Sequence, residues 1–456
     1  MKLFHWIPIL VLTGCAATSP VLTPEIKTQP PAAWNEAAAQ EAAAVSAEWW
    51  DEFDSRELRS LVEQALAGSP DLAIAMERVR QAEAQVRVAG ASLFPSLNLG
   101  FDSRASRAES SPTSESSSAA LSASYEVDLW GGNAAGVRGA QAGLAATAFD
   151  RDATRLTLIA GVANSYFEVL SLRSRVAVAR ENLAIAERVA ALVRVRARNG
   201  AVSPLDVARQ EAAVLSRRAA LLPLEQQERQ TLAALAVLIG RLPEGFEVEA
   251  KGLAGLAVPA VSPGLPADLL VRRPDLAAAE AGLAAANASL AAARTALLPS
   301  IQLTSSAGVA SGALLAFMSG PTASAAIAAS VLQPIFDGGR RRAEVAIAQS
   351  RERELVEVYR KAILAAFADV ESALAAASRL GEREALQRQV EERAREALRL
   401  AEVRYREGAD DLLSVLDAQR TLADAQDQLE QARLGRLEAA VALFRALGGG
   451  WAAGSA

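Results

Sequence analysis

The sequence predicts a mainly α protein with membrane β-strands, in which a long-helix unit is written twice and each chain carries four strands. Two observations carry this expectation. Alanine, leucine, glutamate, arginine and glutamine dominate while aromatics make up only 5% of the chain, and apolar residues keep a helical period over very long stretches, the mixture expected of long helices and coiled coil. The same ordered landmarks then recur in both halves at a spacing of about 204 residues, the mark of an internal repeat.

The repeat unit is read in order. Asp71-Leu72 opens a short helix that ends in Leu93-Phe94-Pro95-Ser96-Leu97, and Asp275-Leu276 opens its copy, ending in Leu298-Pro299-Ser300-Ile301. Pro95 and Pro299 stop these helices, because proline cannot continue one. An alternating, Ser-rich region follows in each half. A Gly-Gly pair (Gly131-Gly132, Gly338-Gly339) then starts a long helix that ends at Arg198-Asn199-Gly200 or Arg406-Glu407-Gly408. A medium helix follows each break and runs to Gly240 or Gly448, the first opening at Pro204, where the missing N–H costs nothing. At 1.5 Å per residue the long helices span about 100 Å, the medium ones roughly 55 Å and the short ones roughly 35 Å. A short and a medium helix end to end nearly match one long helix, so the two halves make a wall of even height. Ile363, Phe367, Val370, Leu374 and Ala377 step by four and three, and Val415, Leu422 and Leu429 by seven, which is the heptad seam. Between the halves, Leu242 to Pro266 is rich in Pro and Gly and too long for a tight turn.

The non-helical stretches Ser96–Trp130 and Ser300–Phe336 alternate. Leu97, Leu99 and Phe101, then Ala123, Tyr125, Val127 and Leu129, share one face, as do Ile301, Leu303 and Ser305, then Ile327, Ala329 and Val331. Strands of about ten residues with one apolar face match an outer-membrane barrel; ordinary exposed hairpins are the plainer alternative. Mobile tips are expected at Asp102–Ser118 and Gly312–Ser324. Four strands leave open edges, which hydrocarbon does not tolerate. Insertion therefore requires oligomerisation, and three copies supply twelve strands, an even number in the usual range.

The only cysteine, Cys15, closes Leu12-Thr13-Gly14-Cys15 after a basic start and a short apolar run from Phe4 to Leu12. That is a secretory signal, too short for a transmembrane span, and no other apolar run is long enough to span. Leu-Thr-Gly-Cys resembles the bacterial lipobox, in which the cysteine becomes the acylated first residue; an ordinary signal peptide with a chance cysteine is the alternative. Ala16 follows instead of Asp, and in lipoproteins that resemblance points to the outer membrane. The net charge of −6 becomes about −7 without Lys2, which argues against nucleic acid. The single histidine, His5, leaves with the leader. Histidine-based nucleophilic machinery and metal sites are thereby excluded, and neither an enzyme nor a cofactor is expected beyond an N-acyl diglyceride on Cys15.

Several segments carry a closer resemblance: Tyr125-Glu126-Val127-Asp128-Leu129-Trp130-Gly131, Leu270-Val271-Arg272-Arg273-Pro274-Asp275-Leu276, Ala284-Ala285-Ala286-Asn287-Ala288, Gln333-Pro334-Ile335-Phe336-Asp337-Gly338-Gly339-Arg340, Leu416-Asp417-Ala418-Gln419-Arg420 and Leu447-Gly448-Gly449-Gly450-Trp451. The chain resembles the TolC/OprM-type outer-membrane efflux channels, in the lipoprotein (NodT-like) branch of RND tripartite systems. The resemblance covers essentially the whole mature chain. It implies a homotrimer with a twelve-stranded β-barrel, a trimeric α-helical barrel reaching into the periplasm and an equatorial mixed domain. It implies a lipid-anchored outer-membrane exit duct that passively conducts small molecules, with a periplasmic adaptor (membrane fusion) protein and an inner-membrane RND transporter as partners. Export of proteins, and a non-conducting periplasmic coiled-coil spacer, are the alternatives.

On that frame residues 1–14 are the signal peptide, 15–54 a linker wrapping the equator, 55–95 an equatorial piece with the first short helix, and 96–131 the first barrel hairpin. Residues 132–241 form the first long helical hairpin, 242–274 the equatorial connector and 275–299 the second short helix. Residues 300–337 are the second barrel hairpin, 338–447 the second long helical hairpin and 448–456 the tail. The family's periplasmic gate is a leucine and an aspartate ring, and the matching residues are Leu413 and Asp417, which share a helix face four residues apart. Leucines form a dewetting constriction and three aspartates concentrate negative charge; a surface carboxylate paired with Arg420 is the alternative for Asp417. Arg404, Tyr405 and Arg406 are candidates for a clamp on the closed tip, with Asp206 or Asp410 as partners; a solvated basic helix end is the alternative. Arg272-Arg273-Pro274-Asp275 is read as structural: Pro274 starts a helix, Asp275 favours its N-terminal dipole and the arginines anchor the equatorial belt.

Overall fold

The structure, a computed structural model, describes residues 31–35, 45–107, 113–312, 314–318 and 320–451. In chain order the elements are a 3₁₀ turn (Trp49–Phe53), α1 (Arg56–Gly68), α2 (Pro70–Ala91), β1 (Ser96–Ser106), β2 (Ser114–Val127), α3 (Gly132–Arg198) and α4 (Pro204–Leu238). After the connector come α5 (Leu269–Arg272), α6 (Pro274–Thr295), β3 (Ser300–Ser311), β4 (Thr322–Leu332), α7 (Arg340–Arg406) and α8 (Leu412–Ala446). The repeat expected from the sequence is present element for element, and each long helix has 67 residues. α1 has no separate place in the sequence reading. Ser55 caps its start by accepting from the Leu58 N–H at 3.1 Å, and Pro70 opens the next helix.

The same chemistry ends the helices of both halves. At Gly200 and Gly408, φ is +75° and +76°, and the next amide reaches back to close the turn: Ala201 N–H to Arg196 C=O and Ala409 N–H to Arg404 C=O. Gly240 and Gly448 repeat the device with Arg241 N–H to Ala236 C=O and Gly449 N–H to Phe444 C=O. This is the left-handed helix stop that glycine adopts at little cost. The two medium helices also end against equivalent backbone: a Cβ on Gly240 would collide with the Gly68 carbonyl, and one on Gly448 with the Arg272 carbonyl. The duplication is thus preserved in close backbone contacts, one before α2 and the other before α6. The starts are built likewise from acids of the two motifs. Asp128 accepts from the Asn133 and Ala134 N–H groups at 3.0 and 2.8 Å, and Asp337 from those of Gly339 and Arg341 at 3.0 and 3.3 Å. A carboxylate at a helix N-terminus satisfies orphan donors and opposes the dipole.

Contacts divide the chain into two units. One holds the sheet with residues 80–146 and 279–359. Its strands run in the order β1-β2-β3-β4, all antiparallel. The strands extend beyond the expected turns. β1 continues to Ser106 and β2 begins at Ser114, with Ser103 and Ser117 hydroxyls 2.9 Å apart across the ladder, so much of the stretch expected as a tip is paired strand. In the second half β3 stops at Ser311, where the expected tip begins, and β4 starts at Thr322, three residues inside it. Serine marks turns by composition, yet its small side chain fits a ladder when the backbone partner is in register.

The other unit, residues 28–79, 147–278 and 360–456, holds the main core. Trp49, Phe53, Phe167 and Phe444 sit together at its centre, with the Trp49 and Phe444 rings stacked at 5.1 Å. The connector is pinned to this core. Arg173 donates to the Val248 and Ala250 carbonyls, Glu57 accepts from the Glu249 and Ala250 amides, and the Trp34 indole donates to Gly264 C=O at 3.0 Å while its ring lies 5.9 Å from that of Phe367. The seam positions Ile363, Val370, Leu374, Val415, Leu422 and Leu429 are buried. A second cluster adds Ile185, Val189 and Val193 of α3 to Val415 and Leu422, so α8 packs on α3 as well as on α7. Contrary to the sequence reading, α6 is long and apolar enough to cross a membrane by length and composition. Half of its residues are alanine, which raises hydropathy without the bulky side chains of a lipid-facing helix.

Gly240→Ala and Gly448→Ala are each expected to destabilise the protein by more than about 1 kcal/mol, since both the positive φ and the facing carbonyl oppose a Cβ. Gly90→Ala, in an open helical position, is expected to stabilise by about 0.5–1 kcal/mol. Thermal melts followed by circular dichroism check both directions.

Candidate functional site

The register of the sheet sorts its side chains into two faces. Leu97, Leu99 and Phe101 of β1 stand opposite Ala123, Leu121 and Ala119 of β2. Tyr125 and Val127 face Leu303 and Ile301, which face Ala329 and Val331. One face is therefore apolar across all four strands. The other carries Asn98, Asp102, Ser122, Glu126, Gln302 and Ser330. Apolar-out, polar-in alternation is what a barrel between lipid and an aqueous lumen requires. At the helix-proximal end, Phe94, Trp130, Ile335 and Phe336 are exposed, and the Trp130 indole donates to Pro299 C=O at 2.7 Å. Aromatics held at that level mark a lipid–water boundary.

The helix-turn ends of the other unit carry the residues expected to gate. α8 buries Leu412, Val415 and Gln419, so Leu413 and Asp417 fall on its opposite side, 49% exposed at Leu413. Arg420, Thr421 and Asp424 continue that exposed stripe. Asp417, with its side chain 67% exposed, accepts from Arg420 at 2.6 Å, the i+3 contact weighed from the sequence.

Of the three clamp candidates, Arg404 pairs with Asp410 at 3.3 Å, inside its own turn. Asp206 is engaged elsewhere: it caps α4, accepting from the Ser203 hydroxyl at 2.8 Å and its amide at 3.0 Å, contacts that hold its carboxyl below the usual range. Tyr405 is buried, and Arg196 of α3 holds it. The guanidinium lies 4.8 Å over the ring, and Nη1 donates to the Tyr405 carbonyl at 2.7 Å. Arg406 has no ion pair among the described residues. Arg196 escaped the sequence reading, but the repeat contains the signal. It stands four residues before Gly200 as Arg404 stands four before Gly408. Cys15 lies outside the described residues.

The Arg272-Arg273-Pro274-Asp275 motif is an ion-pair node. Arg273, 11% exposed, makes a bidentate contact with Asp275 at 2.9 and 2.6 Å, reaches Asp369 at 3.2 Å and donates to Ala446 C=O at 3.3 Å. Arg272 pairs with Asp268 at 3.1 Å. Burial pushes the Asp275 carboxyl up, but the Arg273 hydrogen bond and charge outweigh it, and the net value falls below 3.8. Among the described residues no cluster of three or more His, Cys, Asp or Glu is arranged to hold a metal.

The family model for outer membrane efflux proteins matches residues 61–241 and 265–449. The chain belongs to that family. It is 44% identical to the pyoverdine export outer membrane protein OpmQ of Pseudomonas aeruginosa, over 97% of this chain and 95% of the relative. It is 33% identical to the outer membrane protein OprJ of the same organism, again over 97% of this chain and 95% of the relative. Among solved structures, the outer-membrane channel OprN superimposes with a TM-score of 0.87 at 27% identity, covering 96% of this chain and all of that one. The open-state MtrE channel of Neisseria gonorrhoeae gives 0.83 at 31% identity, covering 94% and 96%. As a member of this outer membrane efflux protein family the chain is a channel component and not an enzyme. It works in the outer membrane as part of a tripartite efflux system, as a trimer beside an adaptor and an inner-membrane transporter. Three four-stranded sheets then close as one twelve-stranded barrel.

The lowered Asp275 carboxyl has a pH consequence. Its stabilisation is fully present above the ordinary value of 3.8 and is lost as pH falls through the lower folded value. Asp275→Asn is expected to cost about 1 kcal/mol at pH 7, toward the low end because that carboxylate is 45% exposed. It should also flatten the loss of stability below about pH 4; denaturant titrations at several acidic pH values read both effects.

Proposed function

We propose that the trimer is a passive exit duct for a small secreted molecule, closed at its periplasmic end by rings of Leu413 and Asp417 and sorted to the outer membrane by an acylated Cys15. One observation carries the gate: the first turns of α8 present Leu413 and Asp417 on the face turned away from the chain's own helices. Three copies about an axis bring three leucines and three carboxylates together. The leucines favour dewetting, and the carboxylates repel one another while drawing cations. In the first half, the positions aligned on the helix caps Ser203 and Asp411 are Leu205 and Arg209, so the first hairpin repeats the leucine but replaces the carboxylate with a cation. The contact of Asp417 with Arg420 is compatible with this role, because an exposed i,i+3 pair is worth only about 0.3–0.5 kcal/mol and exchanges easily. Arg196, on Tyr405, is the residue we assign to holding the end of α7 against α3. The lipobox and the residue after it support the sorting reading.

Single-channel recording of the reconstituted trimer tests the gate. The parent is expected to show small, cation-selective openings. Asp417→Ala and Leu413→Ala should open more often or wider, as should Arg196→Ala, while Tyr405→Phe should match the parent because the buried tyrosine hydroxyl has no partner. A parent and Asp417→Ala with identical conductance and selectivity would remove the carboxylate ring.

For cargo, the 44% and 40% identical relatives are named for pyoverdine export, which supports export of pyoverdine or a similar small molecule by this chain as well. Deleting the gene is expected to lower that molecule several-fold in the culture supernatant and raise it in the periplasm, with restoration by the parent gene. Unchanged supernatant levels would count against this cargo.

A further inference from the structure

The unit that holds the main core contains a polar cavity, of about 310 Å³, between α3, α4 and α8. Glu168, Ser171 and Arg175 line it from α3 at spacings that keep them on one helix face, Gln227 from α4, and Gln431 and Glu438 from α8. Its charges do not cancel. Arg175 is held by Asp427 at 2.6 Å, and Asp427 also accepts from Gln431 at 2.6 Å. Glu168 accepts only from the Gln227 amide, at 3.2 Å, and neither Glu168 nor Glu438 has a cationic partner among the described residues. Burial raises the Glu438 carboxyl, and the negative charge of Glu168 raises it further.

An independent observation points to an occupant. Ser171 is 1% exposed, lines the cavity, and its hydroxyl has no hydrogen-bond partner. A buried hydroxyl left unsatisfied bears its full desolvation penalty, and such groups in native proteins are usually met by water or an ion. Gln227 and Gln431 each spend their N–H₂ on a carboxylate, Glu168 and Asp427, which leaves their carbonyl oxygens to accept. The lining's guanidinium, Arg175, is held by Asp427, and the acceptors on the lining are all oxygen: two carboxylates, a hydroxyl and two amide carbonyls. That is the set hard divalent cations prefer, whereas softer metals take nitrogen or sulfur. The volume exceeds that of a bare ion and admits several waters at about 30 Å³ each, as magnesium and calcium retain.

We propose that this cavity binds one partly hydrated divalent cation per chain, magnesium or calcium, through Glu168, Glu438 and Ser171, and that the ion ties α3 to α8. Two charges with flexible amide partners make the site weak, with a Kd of about 10⁻⁴–10⁻³ M.

The test is calorimetric titration of CaCl₂ and MgCl₂ into the detergent-solubilised trimer carrying Asp417→Asn, so that the gate carboxylates do not contribute. One cation per chain is expected. Glu168→Gln and Glu438→Gln should each weaken binding at least about tenfold, since each removes a ligand charge. Ser171→Ala, which leaves both charges in place, should weaken it about two- to tenfold. Binding that is absent in the starting protein, or unchanged in the Glu168→Gln/Glu438→Gln double variant, overturns the proposal. A second measurement needs no variant in the cavity: millimolar calcium or magnesium should raise the melting temperature more than sodium chloride of equal ionic strength, and equal melting temperatures overturn it as well.

Discussion

The constraint on which the rest depends is the unpaired backbone at the two edges of a four-stranded sheet. β1 and β4 each present one row of N–H and C=O groups that no strand among the described residues of the same chain meets. In hydrocarbon each such group costs several kcal/mol. The apolar face running through Leu99, Leu121, Ala307 and Ala325 belongs in lipid, so the edges must be closed by other copies. Trimerisation is therefore a condition of insertion and not a later refinement. The long helices and their glycine stops, repeated in each half, belong to the same assembly.

The repeat supplies the structural economy. Each half uses an acid from the motif beyond its strands to start a long helix, a left-handed glycine to turn it and another to stop the medium helix against a backbone carbonyl. Function enters where the copies diverge. Arg404 closes its own turn through Asp410, while its counterpart Arg196 crosses to Tyr405. Asp417 sits where the first half has Arg209. The two hairpins therefore differ at matching positions, with Asp417 on one where Arg209 stands on the other.

Polar groups inside the helical unit follow one rule. Where charge is buried it is shared: Arg273 serves two aspartates and a carbonyl, and the Glu384 carboxylate of α7 accepts from Arg388 at 2.6 Å and Arg436 of α8 at 2.8 Å. Such pairs fix the register of adjacent helices more than they stabilise, because desolvation offsets most of the attraction. The alanine-rich seams approach closely but specify little, so register falls to these ionic nodes and to amide pairs such as Asn182 with Gln426 at 2.8 Å. Glu168 and Glu438 depart from the rule, and that departure singles out their cavity.

By itself the sequence determined what depends on periodicity and punctuation. The two long helices, their glycine stops and the four alternating strands are all legible, because helix and strand periods and left-handed glycine positions are local properties of the chain. It misjudged the length of the strands, since the same serines read as turn by composition and as ladder once a partner is in register, and it ran α1 into the neighbouring equatorial piece. Tertiary structure alone decided which side chains meet across long separations. Asp206 is spent on its own helix cap, Tyr405 lies under Arg196, 209 positions away, and Ser171 lines one cavity with carboxylates of α3 and α8. Those contacts arise from the packing of helices against one another, and no local period encodes which residue of one long helix will face which residue of the next.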